Sequence, residues 1–445
     1  MKLDFGKRQM DIGTFPFNLM RTLALAGTGG AEISECLLTA GKVQDKDPES
    51  GVQEWAALAE RVADLAVTAD EAGDFVTARQ AYLRASNYYR AAMFSLAPGD
   101  QRLDVYLTHS RELFHAAAPL FPEPIEIVAI PYGDVTLPGY FLRGRTRRAD
   151  GPTLVVVNGG DSTSEEFVHW VGFTAAERGW NCLVFEGPGQ WSAFQQHPEL
   201  PLRPDFEVPV RAAVDYLVAR SDVDPDRIAL AGFSLGAMLA ARAAAFEPRI
   251  AAVVCDGLVT DVNAAWNAVM PAAVRKAPPG LFDLLFTSFE KVSPQLAAFA
   301  NHYRWIFNVE KPHEIVEAWK PFNVTGLAPS IGCPILVLYG EAEVAQSNAK
   351  VGLGVLEWLN QVRSPLAMRM FEYADGWAAT HCQVGAIAAM QAVMFDWLES
   401  AMTNPKQLPT VDVGSSLAVM HRHWRSSQLE VESARLVEKG ARAAA

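Results

Sequence analysis

The feature that most constrains the fold of this chain is a succession of short, wholly apolar runs in its central and C-terminal parts. In chain order they read TLVVVNGG, NCLVFEGPG, RIALAGFS, IAAVVCDG and PILVLYG. Stretches with helical spacing of apolar residues separate them. Strands that are apolar along their whole length are typical of a parallel sheet covered by helices on both faces. The pattern therefore predicts a doubly wound α/β architecture.

Three further segments extend this sheet. IEIVAIPY and LPGYFLR predict an antiparallel strand pair ahead of the apolar runs, and LAMRMFEYAD predicts a last strand behind them. The segment VGAIAAMQAVMFDWLES then predicts a final helix, because its apolar residues recur at three- and four-residue spacing.

The chain of 445 residues is too long for one compact core and divides by pattern into three parts. Residues 1–122 predict a helical N-terminal cap domain with an αα-hairpin, ended by Pro122 and Pro124. Residues 123–403 form the α/β domain, interrupted at about 259–330 by an apolar helical insertion, which we call the lid. Residues 404–445 predict a charged, partly helical tail without evident chemistry.

Charge and cysteine usage restrict the partners and the compartment. A net charge of -13 argues against a nucleic-acid partner, because phosphates are bound through excess Lys and Arg. The N-terminal residues MKLDFGKRQMDIG lack the apolar core of a signal peptide, and no run predicts a membrane-spanning helix. The five cysteines are odd in number and lack zinc spacing, so the sequence predicts a cytoplasmic protein without a metal site.

The strongest chemical signal is the pentapeptide GFSLG, which spans Gly232 to Gly236. It directly follows the strand-like RIALA and opens the helical AMLAARAAAF. A G-x-S-x-G turn between a strand and a helix presents its serine on a strained bend above the sheet. The flanking glycines remove side chains that would clash with the bend. The context predicts that Ser234 is a nucleophile rather than an incidental turn residue.

A serine hydroxyl needs a base within hydrogen-bond reach. In sheets with such a turn the chain order is serine, acid, histidine. Of nine histidines, only His381 lies between the last predicted strand and the last predicted helix. His302 and His313 fall in the lid. We therefore predict that His381 is the base.

The acid that orients His381 is open between three residues. Glu343 follows the strand PILVLYG by three residues and is the preferred candidate. Glu341 lies beside it, and Asp256 at the end of the preceding strand is an alternative position. Asp375 is expected to shape a turn with Gly376 instead.

An oxyanion requires converging backbone N–H groups. Leu235 N–H is one candidate, and the loop Gly159–Ser162, which we call the oxyanion turn, supplies the other through Gly160 and Asp161. The same loop also suits a plain strand-to-helix turn in which Ser162 or Ser164 caps the next helix. Both interpretations can hold together.

Aromatic residues predict an apolar pocket that favours a flat aromatic or polyketide-like small molecule over a peptide. The substrate-binding candidates are Trp191, Trp266, Tyr303, Trp305 and Trp377, with Phe307, Tyr88 and Tyr89 as further contributors.

The motifs NGGDSTSEE, FEGPGQW, GFSLG and HCQVG resemble those of one α/β-hydrolase group. That group contains 2,6-dihydroxypseudooxynicotine hydrolase, fungal hydrolases that shorten polyketides, and esterases similar to the fermentation-respiration switch protein. The resemblance covers residues from about 50 to 400. It implies an α/β-hydrolase fold, a Ser–acid–His triad, a cap that closes over the active site, a homodimer, no cofactor, and hydrolysis of a carbon–carbon bond beside a ketone.

Two positions depart from the pattern of this group. The acid is usually Asp, whereas Glu343 stands here, and the glycine-rich loop commonly reads DGPGQG, whereas Trp191 replaces its last glycine. The tryptophan is expected to narrow the pocket.

These residues predict a serine hydrolase that acts through an acyl-enzyme. The triad alone does not distinguish a carbon–carbon hydrolase from a carboxylesterase or amidase, or from an acyltransferase that uses an alcohol or amine in place of water. A binding protein without activity is the alternative from another class, and the intact Ser234 and His381 argue against it.

Overall fold

The computed structural model describes residues 14–44, 47–97, 99–145, 151–346, 349–404, 408, 413–424 and 430–437. Within these ranges eight strands form one sheet with the order β1-β2-β4-β3-β5-β6-β7-β8. The strands are β1 (Glu126–Tyr132), β2 (Val135–Leu142), β3 (Thr153–Val157), β4 (Asn181–Phe185), β5 (Ile228–Phe233), β6 (Ile250–Asp256), β7 (Ile335–Gly340) and β8 (Leu366–Phe371).

Strand direction follows the predicted pattern. β2 pairs antiparallel with both β1 and β4, and every other neighbouring pair is parallel. Strands β3, β4, β5 and β7 are buried at every position. This burial explains why their sequences are apolar throughout instead of alternating. The predicted mostly parallel sheet and the antiparallel pair are confirmed.

Helices cover both faces of the sheet. They are α1 (Thr14–Leu23), α2 (Ile33–Ala40), α3 (Pro48–Glu71), α4 (Phe75–Met93), α5 (Gln101–Ala117), α6 (Ser164–Phe167), α7 (Phe173–Glu177), α8 (Trp191–Gln196), α9 (Glu207–Val218), α10 (Leu235–Phe246), α11 (Val262–Val269), α12 (Ala272–Arg275), α13 (Pro279–Glu290), α14 (Pro294–Phe307), α15 (Pro312–Trp319), α16 (Glu341–Gln346), α17 (Ala349–Gln361), α18 (Ile387–Thr403) and α19 (Val413–His423). A π-helical turn at Val168–Gly172 joins α6 to α7.

Helices α3 and α4 form the predicted αα-hairpin, with Gly73 in the left-handed region at its turn. The side chain of Asp74 caps α4 by accepting a hydrogen bond from Thr77 N. Buried residues of these helices, such as Leu58 and Tyr88, share one hydrophobic cluster with the strand residue Val156. The N-terminal helices are therefore held against one face of the sheet by continuous apolar packing.

The predicted helical insertion between β6 and β7 consists of α11 to α15. Trp319 is almost fully buried and packs edge-on against Phe307 and Phe322, with ring centroids 4.8 and 5.0 Å apart. These rings belong to the hydrophobic cluster on the opposite face of the sheet from the N-terminal helices. Such aromatic burial makes the lid a packed element rather than a loose loop.

The described part of the predicted tail also packs against the sheet. In α19, the Ser416 hydroxyl accepts a hydrogen bond from Met370 N of β8 at 2.9 Å. Met420 and the following Trp424 are buried in the same cluster as the lid. A helix with one apolar face is stabilised mainly by such packing. In the part of the chain that is described, no helix has the length and apolar character needed to span a membrane.

Candidate active site

Ser234 occupies a sharp bend between β5 and α10. Its backbone has φ 56° and ψ -123°, a conformation that residues other than glycine adopt only under strain. A Cβ on Gly232 would lie 2.0 Å from the carbonyl oxygen of Gly236, and a Cβ on Gly236 would lie 2.3 Å from that of Val157. Both glycines are therefore required by close backbone approach. The geometry is that of the bend predicted from the GFSLG motif.

The bend brings Ser234 into a chain of hydrogen-bonding side chains. Ser234 Oγ lies 2.9 Å from His381 Nε2, and His381 Nδ1 lies 2.5 Å from Glu343 Oε1. The other oxygen of Glu343 accepts a hydrogen bond from Gly340 N at 2.7 Å. Glu343 is thus fixed at the end of β7, where it can hold one tautomer of His381. Three of the predicted residues meet although they come from distant parts of the sequence.

The two alternative acids have other partners. Glu341 Oε1 lies 2.9 Å from His423 Nε2, and this contact links α16 to α19. Glu341 also accepts a hydrogen bond from Tyr373 N. Asp256 is fully buried and accepts a hydrogen bond from Gln383 Nε2 at 3.3 Å. Burial and the nearby charge of Glu343 raise the pKa of Asp256 well above its usual value, which favours its neutral form.

The environment of His381 predicts how activity depends on pH. Burial disfavours its protonation, but the Glu343 carboxylate hydrogen-bonded to Nδ1 acts in the opposite direction and holds the pKa of His381 well above its usual value. A general base is active only when neutral. We therefore expect kcat/KM to rise with pH, with the acid limb above about pH 6.5. The Glu343→Gln substitution removes a negative charge and should move that limb to lower pH. A pH–rate profile whose limb lies below pH 6.5 in the unmodified protein would contradict this interpretation.

The oxyanion turn lies directly against Ser234. A Cβ on Gly159 would lie 3.3 Å from Ser234 Cβ, and a Cβ on Gly160 would lie 2.9 Å from the hydroxyl oxygen of Tyr303. Leu235 is the first residue of α10, so its backbone N–H has no partner within the helix. The loop and the helix start therefore flank Ser234, as the oxyanion assignment of Leu235, Gly160 and Asp161 requires.

The predicted caps of the helix after this turn are wrong. Thr163, and neither Ser162 nor Ser164, is the N-cap of α6, and its hydroxyl accepts a hydrogen bond from Glu166 N at 3.3 Å. Ser162 Oγ instead accepts a hydrogen bond from Arg21, a partner from α1 that the local sequence does not reveal.

Two cavities meet at Ser234 and His381. The larger, of about 560 Å³, is walled mainly by apolar side chains of the lid, α10, α17 and α19. The smaller, of about 330 Å³, lies between the oxyanion turn, α1, α8 and the lid. Phe299 and Tyr303 of α14 contribute to both. Ser234 therefore lies at the junction of two chambers.

Four of the five principal pocket candidates line these chambers. Trp266 lines the larger, Trp191 and Trp305 line the smaller, and Tyr303 lines both. The side chain of Trp377 lies outside the described part of the structure. Three further candidates, Phe307, Tyr88 and Tyr89, pack in the core instead. Tyr88, for example, is fully buried among the N-terminal helices and donates a hydrogen bond to Glu35.

Sequence reasoning missed several wall residues. Met420 and Trp424 of the predicted tail line the larger chamber, and Arg21 of α1 and His302 of the lid line the smaller one. The spacing of Leu417, Met420 and Trp424 could have indicated a packed helix face. Nothing in the local sequence indicates that Arg21 reaches the turn after β3. Among the described residues, no three His, Cys, Asp or Glu side chains gather as a metal site would require.

Comparison with known proteins identifies relatives of the chain. Residues 154–399 match the family described as "Alpha/beta hydrolase family". The chain is 33% identical to Hydrolase LUC6 from Fusarium sp, over 86% of this chain and 96% of that protein. It is 31% identical to 20-hydroxy-prefusarin hydrolase FUS2 from Gibberella moniliformis, over 87% of this chain and 96% of that protein.

The solved structure of 2,6-dihydroxy-pseudo-oxynicotine hydrolase has the same fold, with a TM-score of 0.70. It is 21% identical, and the match covers 88% of this chain and 99% of that one. AbyA5 matches with a TM-score of 0.53 and 16% identity, over 83% of this chain and 98% of that one. The predicted fold class and the resemblance stated from the motifs are confirmed.

Proposed function

Because the chain belongs to the alpha/beta hydrolase family, we propose that it is a serine hydrolase that forms an acyl-enzyme on Ser234. The observation that carries this proposal is the unbroken contact of Ser234 Oγ with His381 Nε2 and of His381 Nδ1 with Glu343. This order places a base on the hydroxyl and a carboxylate behind the base.

The reaction follows from these contacts. His381 Nε2 takes the hydroxyl proton while Ser234 Oγ bonds to the substrate carbonyl carbon, and Glu343 offsets the charge that develops on the imidazole. The N–H groups of Leu235 and Asp161 stabilise the oxyanion. The bond to the leaving group breaks, and His381 returns the proton to that group. Water, deprotonated by His381, then releases the acyl group as a carboxylic acid and restores Ser234.

The chambers support a small, largely apolar substrate with an aromatic or polyketide-like acyl part. The larger chamber is lined by residues such as Trp266, Phe299, Trp319 and Trp424. Apolar lining of this size favours burial of a flat or chain-like hydrophobic group over that of a peptide. The relative named 20-hydroxy-prefusarin hydrolase carries a small-molecule substrate in its name, which supports the same class for this chain.

We further propose that the broken bond is a carbon–carbon bond beside a ketone. After attack at the ketone, the electron pair of the broken bond passes to the neighbouring carbon as an enolate, and His381 Nε2–H protonates that carbon. The junction of two chambers at Ser234 supports this chemistry, since both halves of the substrate need enclosed space. A homodimer and a cytoplasmic location remain predictions.

The test compares two matched substrates that deliver the same acyl group. An aryl 1,3-diketone reports carbon–carbon cleavage, and the p-nitrophenyl ester of the same acid reports ester cleavage. We expect the diketone to yield one carboxylic acid and one ketone per turnover. Chromatography of the reaction mixture measures both products. Ester turnover alone would leave the serine hydrolase and contradict carbon–carbon cleavage. If an alcohol is added to the assay and an ester forms in place of the carboxylic acid, the enzyme is an acyltransferase instead.

A further inference from the structure

We propose that His302 of the lid and Arg21 of α1 are positioning residues that jointly fix the oxyanion turn. This inference rests on the proposed function, because it assigns those two side chains a task in the same reaction. Neither His302 nor Arg21 is a member of the hydrogen-bonded chain that links Ser234 through His381 to Glu343.

The two residues bind consecutive carbonyl groups of the turn. His302 Nε2 lies 2.5 Å from Gly160 O. Arg21 Nη2 donates to Asp161 O and to Ser162 Oγ, both at 3.1 Å, and its Nη1 lies 3.1 Å from Asp161 Oδ2. The turn is thus held from two sides by segments that lie about 280 residues apart in the chain.

Anchoring a carbonyl also orients an N–H group. The peptide between Gly160 and Asp161 is planar and trans, so its C=O and N–H project in opposite directions. With Gly160 O held by His302, the Asp161 N–H is directed away from the lid histidine. Paired glycines have no side chains to restrict this loop, and the backbone of Gly159 and Gly160 would otherwise sample many conformations. The two contacts supply the restriction that the glycines lack.

The protonation states of both residues suit this task. Burial lowers the pKa of His302, so the ring is neutral and its single N–H must be on Nε2 to donate to Gly160 O. The ring is confined between Trp191 and Tyr303, at centroid distances of 5.0 and 5.3 Å. Arg21 is 2% exposed, and its charge is balanced by Glu166 at 2.5 Å and by Asp161. Buried charges with such partners hold one geometry.

The arrangement couples the enclosure of substrate to reactivity. His302 belongs to the lid and Arg21 to the N-terminal helices, and both line the smaller chamber. The oxyanion turn is therefore fully restrained only when both segments are in place. Preorganised donors of this kind stabilise charge that develops in the transition state and contribute little to ground-state binding.

The main test is the His302→Ala variant. We expect kcat to fall about 10- to 100-fold, whereas KM changes by less than about threefold. The acid limb of the pH–rate profile should not move, since it belongs to His381 and Glu343. The His302→Gln variant keeps an N–H near the position of Nε2 and should recover most of kcat. The matched control is His313→Ala, because His313 is also a lid histidine but pairs with Asp283.

A second readout separates a positioning role from general damage. An aryl trifluoromethyl ketone becomes an oxyanion when the serine oxygen adds to it, so its Ki reports the turn directly. Ki should rise in His302→Ala by the factor by which kcat/KM falls. Arg21→Lys keeps the charge opposite Glu166 but loses the forked donors of the guanidinium. In this variant too, we expect Ki to rise and kcat/KM to fall. Thermal unfolding of each variant checks that the fold is intact.

The proposal is overturned if His302→Ala keeps its kcat and Ki, or if kcat falls while Ki is unchanged. Failure of the proposed function itself gives a distinguishable result. In that case the trifluoromethyl ketone would not inhibit the unmodified protein, and Ser234→Ala would keep its activity.

Discussion

Replacing Ser234 with alanine is expected to lower kcat by about 10⁶-fold, to a level set by residual stabilisation in the site. The substitution removes only the hydroxyl that contacts His381 Nε2 at 2.9 Å. Alanine at φ 56° carries the same backbone strain as serine, so the bend and its glycines remain in place. We therefore expect nearly unchanged thermal unfolding and unchanged binding of the carboxylic acid product.

The measurement is kcat with a p-nitrophenyl ester, with Ser288→Ala as the matched control. Ser288 lies in the lid, where its hydroxyl donates a hydrogen bond to Leu284 O within the same helix. The control should keep the activity of the unmodified protein. Activity of Ser234→Ala within tenfold of that protein would exclude this residue as the nucleophile.

The second large effect is expected at the acid. Glu343→Gln should lower kcat about 10³- to 10⁴-fold, because a neutral amide no longer offsets the imidazolium charge and permits the wrong tautomer of His381. Glutamine keeps an oxygen for the hydrogen bond from Gly340 N, so the local turn should persist. The measurement is kcat at the pH optimum of each variant, which removes the shift of the acid limb from the comparison.

Asp256→Asn is the matched control for this substitution. Asp256 is buried beside the triad, but its carboxyl contacts Gln383 and its raised pKa favours the neutral acid. Replacing a neutral acid with an amide should change kcat by less than about tenfold. If Asp256→Asn were the more damaging variant, the acid would be Asp256, and Glu343 would only support the ring.

The elements that the sequence predicted well are those whose signals are local. The strands β3, β4, β5 and β7 are apolar because they are buried on both faces, and this property is visible in any short window. The motif GFSLG signals the bend at Ser234 within five residues, although the space that excludes a side chain at Gly236 is taken by Val157 O of β3. The position of His381 beside Ser234 also needed only the order of predicted elements, because a single histidine lies between β8 and α18.

Contacts between distant segments were beyond the reach of the same reasoning. The sequence favoured Glu343 but left Glu341 open, because the partner of Glu341 is His423 of α19, 82 positions away in the chain. Helical spacing in YLRASNYYRAAMF could not separate a core residue such as Tyr88 from a pocket residue, because both positions look apolar and periodic. The contact between Arg21 and the oxyanion turn joins two segments whose sequences give no sign of it.

The most direct test of the account is the mass of the protein during turnover. The protein is mixed with a p-nitrophenyl ester whose acyl group is released slowly, quenched with acid within the burst phase, and digested for peptide mass spectrometry. We predict that the acyl mass resides on the peptide that carries Ser234 and that it is absent from Ser234→Ala. Turnover of the same ester with the acyl group on another residue, or with no acylated protein during a burst of p-nitrophenol, would contradict the account.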